Sequence, residues 1–365
     1  MTKKAISTIM RLLLGLKAVC LLTFAKFVWV VKTVFSSLRI LWQPRQILSN
    51  YKFLPFFLTI VLVLAIAACN NNIPQLEKRQ TTKNCRIVHH AMGEICVPNH
   101  PKRIVTLNPA ALGNAIALGI QPTGSATEEI NQLPPYLQDK IEGIKFLGTW
   151  GEPNLESIAL LKPDVIIGWK HNQQSTYSQL SYIAPTTLYD WVVNINHPDN
   201  WKEYFNFIAK VLGREDIGQQ LWQHYYQRIE QLKSAIGNRY KNKTISVIVF
   251  NAGTIYSVGE NSFIGSILSD VGLNRPESQK ISSNGSFSLS EETLEMADGD
   301  VMFIADHDGK HNLSILNKKP LWKKLKAFQQ NHIYFVESTN WESSRNLLAA
   351  DTVIDDLFKY LVNNP

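Results

Sequence analysis

The sequence predicts an α/β protein of two lobes joined by one long helix, and three observations carry that expectation. The segment Arg214–Ile236 places Ile217, Leu221, Tyr225, Ile229, Leu232 and Ile236 three or four residues apart, which is one face of a helix. At ~1.5 Å per residue it reaches about 35 Å, roughly the width of a small domain, so it can connect two bodies. On either side of it, short β-rich runs alternate with helical runs, the pattern of a parallel sheet flanked by helices. The two sides also resemble each other. Aligning NLESIALLKPDVIIGW (154–169) with SEETLEMADGDVMFIAD (290–306) on Asp164-Val165 and Asp300-Val301 sets Glu156 over Glu292, Ile158 over Leu294 and Ile167 over Phe303. Each side reads as a short helix that starts acidic, then a turn, then a buried strand, and the whole predicts two Rossmann-like lobes.

Taken in order, Arg103–Leu107 is a strand, Asn108-Pro109 a turn, and the helix that follows ends at Gly119. A strand ends near Leu147 and leads through Gly-Thr-Trp-Gly-Glu-Pro into a helix from Leu155 and the strand Asp164–Gly168. Ala184–Trp191 reads as a further strand and Asp199–Gly213 as the helix before the spine, which Gly213 and Gly237 delimit. Beyond it, Thr244–Phe250 is a β-branched strand and NAGTIYSVGENSF a loop. FIGSILSDVGL is a helix, DVMFIAD a strand, PLWKKLKAF a helix, HIYFVES the last strand and LLAADTVIDDLFKYLV the closing helix. The expected organisation is therefore a leader over 1–68, a flexible tether over 69–84, a first lobe over 85–213, the spine over 214–237 and a second lobe over 238–365.

The formal charge of +7 suggests nucleic acid or membrane until it is divided by position. Residues 1–68 hold nine Lys/Arg and no Asp/Glu, which leaves 28 Lys/Arg against 30 Asp/Glu in the remainder, a net of −2. The basicity belongs to the leader, and nucleic-acid binding loses its main support. Phe53–Cys69 (FLPFFLTIVLVLAIAAC) is an apolar run ending in small residues before a cysteine, too short for a comfortable membrane span. Ile66-Ala67-Ala68-Cys69 is similar to a bacterial lipobox, in which the cysteine is acylated. Export gives Cys85 and Cys96 an oxidising compartment, and the turn at Met92–Glu94 lets a hairpin bring them together as a disulfide. A metal site built with His89 and His90 is the weaker reading, because the ligand spacings do not match.

Catalytic signatures are missing at the strand-to-helix turns: there is no GxGxxG after a strand, no GxxxxGK[ST] and no GxSxG. DHDGKH (306–311) sets two histidines four apart beside carboxylates, but Gly309 argues against a helix there, and no directly bound metal is expected. What remains are side chains at the carboxyl ends of the strands, where open α/β sheets bind ligands. These are Asn108, Trp150, Trp169, Lys170 and Trp191 in the first lobe, and Tyr256, His307, Trp341 and Arg345 in the second. Tryptophans with a few cations suit a rigid, partly apolar, anionic ligand.

The segments HAMGEICVPNHPKRIVTLNPAALGNAIALG, LGTWGEPNLESIALLKPDVIIGW, LSYIAPT, NSFIGSILSDVGLNRP, NKKPLWKKLKA and VIDDLFKYL, spread over Cys85–Val362, resemble the iron-siderophore-binding lipoproteins of bacterial ABC importers, most of all the cyanobacterial type. The resemblance implies the class III periplasmic binding protein fold with a rigid helical spine. It implies an Fe(III)-siderophore as ligand rather than a resident cofactor, and docking of a lipid-anchored monomer onto a permease served by an ATPase at the periplasmic face of the inner membrane. The family's two docking glutamates fall on Glu156 and Glu292. NWESSRN lacks the glycines usual after that tryptophan. Cobalamin and haem carriers share the fold, and a surface enzyme on the same scaffold is a further alternative.

Overall fold

The computed structural model describes residues 85–128, 133–191, 200–281 and 285–363. The expected leader, the acylated Cys69 and the tether lie outside them. The described residues all belong to one compact unit, and among them no helix is long and apolar enough to cross a membrane.

The chain opens with an antiparallel hairpin, β1 (Cys85–His90) and β2 (Gly93–Pro98). Cys85 and Cys96 are joined as a disulfide with their Cα atoms 5.6 Å apart. His90 is occupied structurally, because its Nδ1 accepts from the backbone N–H of Leu188 (3.3 Å), which pins the hairpin to the first lobe.

The first sheet is parallel, in the order β5-β4-β3-β6-β7: β3 (Ile104–Thr106), β4 (Gly124–Thr127), β5 (Lys145–Thr149), β6 (Val165–Trp169) and β7 (Thr186–Tyr189). Strand β4, of sequence GSAT, carries no apolar alternation and was not expected. The second sheet runs β10-β9-β8-β11-β12: β8 (Ile245–Asn251), β9 (Thr254–Val258), β10 (Ser286–Leu289), β11 (Val301–Asp306) and β12 (Ile333–Val336). Here β8, β11 and β12 are parallel, while β9 and β10 are antiparallel to their neighbours.

The loop expected over NAGTIYSVGENSF is thus a β-hairpin. Ala252 (φ 50°) and Gly253 (φ 73°) both sit at positive φ, as the two-residue turn with the twist of a hairpin requires. An alanine is unusual there, which hides the turn from a reading of composition. The helix expected at PLWKKLKAF is also broken. Leu325 is extended and buried between one turn at Trp322–Lys324 and another at Lys326–Gln329, which starts afresh because the Lys326 N–H bonds the Asp298 carboxylate at 2.6 Å.

The internal repeat extends to hydrogen bonding. Asp164 accepts from the backbone N–H of Arg103 (2.9 Å) just before β3, and its own N–H donates to the Arg103 carbonyl (2.8 Å). Asp300 does the same with Thr244 just before β8, at 2.9 Å in both directions. Ile158 and Leu294 are buried, as are Ile167 and Phe303.

Between the two sheets runs the helix Glu215–Ile236. It buries Tyr225, Ile229, Leu232 and Ile236 in a core that is continuous from Trp201 and Phe205 before it to Ile264 and Leu268 after it. The closing helix Leu347–Phe358, which chain order alone assigns to the second lobe, returns to the first. The Leu347 N–H donates to Asn114 Oδ1 (3.2 Å), and Asn346 approaches helix Pro109–Ala117 so closely that a Cβ on Gly113 would lie 2.6 Å from its side chain.

Candidate functional site

A cavity of roughly 290 Å³ opens between the lobes, with Trp191, Asn200 and Trp201 on one side and Asn251, Tyr256 and Arg345 among the residues on the other. That is at the small end of the range for small-molecule sites. Strand ends place most of this wall. Trp191 follows β7, Asn251 closes β8, Tyr256 stands on β9, and Trp341 and Arg345 follow β12.

In the first lobe the tryptophans stack in depth. Trp150 meets Trp169 at 5.3 Å between ring centroids, and Trp169 meets Trp191 at 5.4 Å, so Trp191 faces the cavity with the others behind it. Gln173 fixes this stack, donating to the Trp150 carbonyl (2.7 Å) and accepting from the Trp169 N–H (3.0 Å). Lys170 pairs with Asp190 at 2.6 Å. Asn108 is buried, caps helix Pro109–Ala117 through the Ala111 N–H (2.7 Å) and donates to the Tyr204 hydroxyl (3.1 Å). It holds the first lobe's rim in place without lining this cavity.

In the second lobe Glu342 is the hub. Arg345 donates to it at 2.9 Å, and His307 Nε2 lies 3.6 Å from its other oxygen. Burial pushes the Glu342 carboxyl up, but the charges of Arg345 and then His307 outweigh this and hold it at about 2. The Glu342 carboxylate in turn raises His307 against its own burial. From the first lobe Glu128 faces the same group; burial and then the Glu342 charge raise its carboxyl, opposed by Arg345, His307 and Ser343. The Arg345 guanidinium also lies 5.7 Å from the Trp191 ring centroid, a cation–π contact from one lobe to the other. Trp341 is 1% exposed, packs on Phe303 and donates to Asp356 (2.8 Å), so it anchors the wall it belongs to.

Of the residues read from the sequence, Trp191, Tyr256, Trp341 and Arg345 line the cavity. Trp150, Trp169, Lys170, Asn108 and His307 stand around it. Trp201, Asn261, Ser262 and Glu342 are wall residues that the sequence reading missed. Trp201 was hidden in an amphipathic helix, and Ser262 in the N-cap of Phe263–Val271, where it accepts from the Gly265 N–H. Asp306, Asp308 and His311 offer donor atoms within 4.8 Å of one another, but these already serve the fold. Asp308 accepts from the Ala252 and Gly253 N–H groups of the hairpin turn, Asp306 accepts from the Asp308 and His311 N–H groups, and the His311 ring stacks on Phe250 at 3.7 Å.

On the outside, Glu156 and Glu292 are exposed on short helical turns with N-caps at matching positions, Asn154 and Ser290. Four residues after each glutamate stands an exposed apolar side chain, Leu160 at 74% and Met296 at 53%.

Two α/β lobes, a connecting helix and a cavity between them define the bilobal architecture of a substrate-binding protein. The chain belongs to the family described as periplasmic binding protein, whose sequence model matches residues 104–339. It is similar to a probable siderophore-binding lipoprotein of Bacillus subtilis, YfiY, with 32% identity covering 84% of this chain and 97% of that one. It is also similar to the Fe(3+)-citrate-binding protein YfmC of the same organism, with 29% identity over 78% of this chain and 89% of that one. Among solved structures it matches Staphylococcus aureus SirA complexed with staphyloferrin B, with a TM-score of 0.65 and 27% identity, covering 76% of this chain and 98% of that one. The fold is that of the class III binding proteins.

Proposed function

We propose that this protein is the substrate-binding component of an ABC importer, capturing an Fe(III)-siderophore between its lobes and delivering it to a permease served by an ATPase. The observation that carries the reading is the interlobe cavity, with the rings of Trp191, Trp201 and Tyr256 set among the amides of Asn200, Asn251 and Asn261. Aromatic faces receive a rigid organic chelator, and amides bond its oxygens without themselves being charged. The similarity to relatives named for siderophores and ferric citrate supports the same ligand class. Glu156 and Glu292 are proposed as the docking contacts, each with its apolar neighbour, and Cys69 as the acylated N-terminus that holds the protein at the periplasmic face of the membrane. The lobes are assigned to 85–213 and 238–346 with the spine at 214–237, the closing helix Leu347–Phe358 crossing back onto the first lobe, and the protein acts as a monomer without turnover of its ligand. Titration of the purified protein with a panel of ferric chelates, cobalamin and haem, followed by tryptophan quenching, tests this. Saturable quenching by at least one ferric chelate, with the chelate recovered intact, is expected. Binding of cobalamin or haem alone overturns it.

A further inference from the structure

The wall of the cavity holds very little free positive charge. Among the described residues that line it, Arg345 is the one Lys or Arg, and its guanidinium is already bonded to the Glu342 carboxylate at 2.9 Å. His307 Nε2 lies 3.6 Å from the same carboxylate, and Lys170 is paired with Asp190. Glu128 brings a second carboxyl group towards this cluster from the first lobe. The one Lys or Arg among the described lining residues is therefore already committed to a carboxylate, and an anionic ligand would have to compete with Glu342 for it.

This balance restricts the chelate. Ferric iron carries three positive charges. Three hydroxamate groups contribute one negative charge each and form a neutral complex, whereas three catecholate groups contribute two each and leave three negative charges. Buried charge must be paired. A triscatecholate complex would have to take Arg345 away from Glu342 and strand that carboxylate beside Glu128. A neutral complex needs only aromatic contact and amide hydrogen bonds, which Trp191, Tyr256, Asn200, Asn251 and Asn261 provide.

We propose that the cleft selects a ferric chelate of net charge near zero, of the trishydroxamate class, and that the Glu342–Arg345 pair excludes triscatecholate complexes. The proposal rests on the reading that the cleft binds ferric chelates. The test titrates the purified full chain with a ferric trishydroxamate (ferrichrome) and a ferric triscatecholate (ferric enterobactin), in parent and in Glu342→Gln. The parent is expected to bind the trishydroxamate at least about tenfold more tightly. Glu342→Gln, which keeps the side-chain size and frees Arg345, is expected to raise triscatecholate affinity about tenfold while moving trishydroxamate affinity much less. Tighter triscatecholate binding by the parent overturns the charge argument and leaves the chelate-carrier reading intact. An unchanged preference in a folded Glu342→Gln overturns the role of the pair. The parent's preference needs no variant, so misfolding of Glu342→Gln cannot leave the proposal undecided. If neither these complexes nor ferric citrate bind, the carrier reading fails and this inference fails with it.

Discussion

Trp201→Phe tests how the lobes are held together. Trp201 stands at the base of the cavity, 1% exposed, with its ring against Trp222 (5.5 Å), Tyr225 (5.8 Å) and Phe263 (5.2 Å). Its indole N–H donates to Ser266 Oγ at 2.7 Å, so one side chain joins the helix before the spine, the spine, and the first helix of the second lobe. Phenylalanine removes the hydrogen bond, worth ~0.5–1.5 kcal/mol net. It also removes roughly a third of a buried side chain whose complete truncation costs about 3–5 kcal/mol, which adds about 1–2 kcal/mol. The expected loss is therefore about 2–3 kcal/mol in urea-induced unfolding, with an unchanged denaturant slope. Combining it with Ser266→Ala isolates the bond, and the cycle should return a coupling of about 1 kcal/mol. A cost below about 0.5 kcal/mol, or strict additivity in the cycle, would refute the view that this contact ties the lobes.

Reducing the Cys85–Cys96 disulfide, or replacing both cysteines with serine, should lower stability by about 3 kcal/mol on the chain-entropy account, read as a lower thermal midpoint; an unchanged midpoint contradicts it. The Glu342 cluster should make stability depend on pH on both sides. His307 is raised, so its contribution is complete below about pH 6.5 and is lost as pH rises through its higher folded value, while the Glu342 contribution is present above about pH 4.5 and is lost as pH falls towards about 2. Burial raises Glu128, so its ionisation in the folded protein also costs stability as pH rises. Because the Glu342 side chain is 34% exposed, screening reduces the whole effect to about 1–2 kcal/mol. Unfolding midpoints measured between pH 6 and 8.5 should fall less steeply in Glu342→Gln than in the parent, and equal slopes would count against the assignment. Replacing Glu156 and Glu292 together with Ala should leave chelate affinity unchanged and reduce uptake about tenfold, as loss of paired interface charges does. Normal uptake, or a matching loss of chelate affinity, would show that these residues do something else.

The sequence by itself determined the α/β alternation, the spine and the repeat about Asp164 and Asp300, because these depend on local periodicity and on residues close in the chain. It also marked the strand ends, and hence Trp191, Tyr256, Trp341 and Arg345. It did not show β4, whose GSAT sequence has no apolar alternation, or the hairpin turned by Ala252-Gly253, whose positive-φ alanine is held by the distant Asp308. Only the tertiary structure decided that the closing helix packs on the first lobe, since that depends on Asn346 fitting against Gly113 more than two hundred residues away. Only it distinguished the tryptophan that faces the cavity from the two stacked behind it. The same holds for charge: Arg345 reads from sequence as a free cation for an anionic ligand, and it is the fold that sets Glu342, His307 and Glu128 around it, because Coulomb interactions follow distance in space rather than order along the chain.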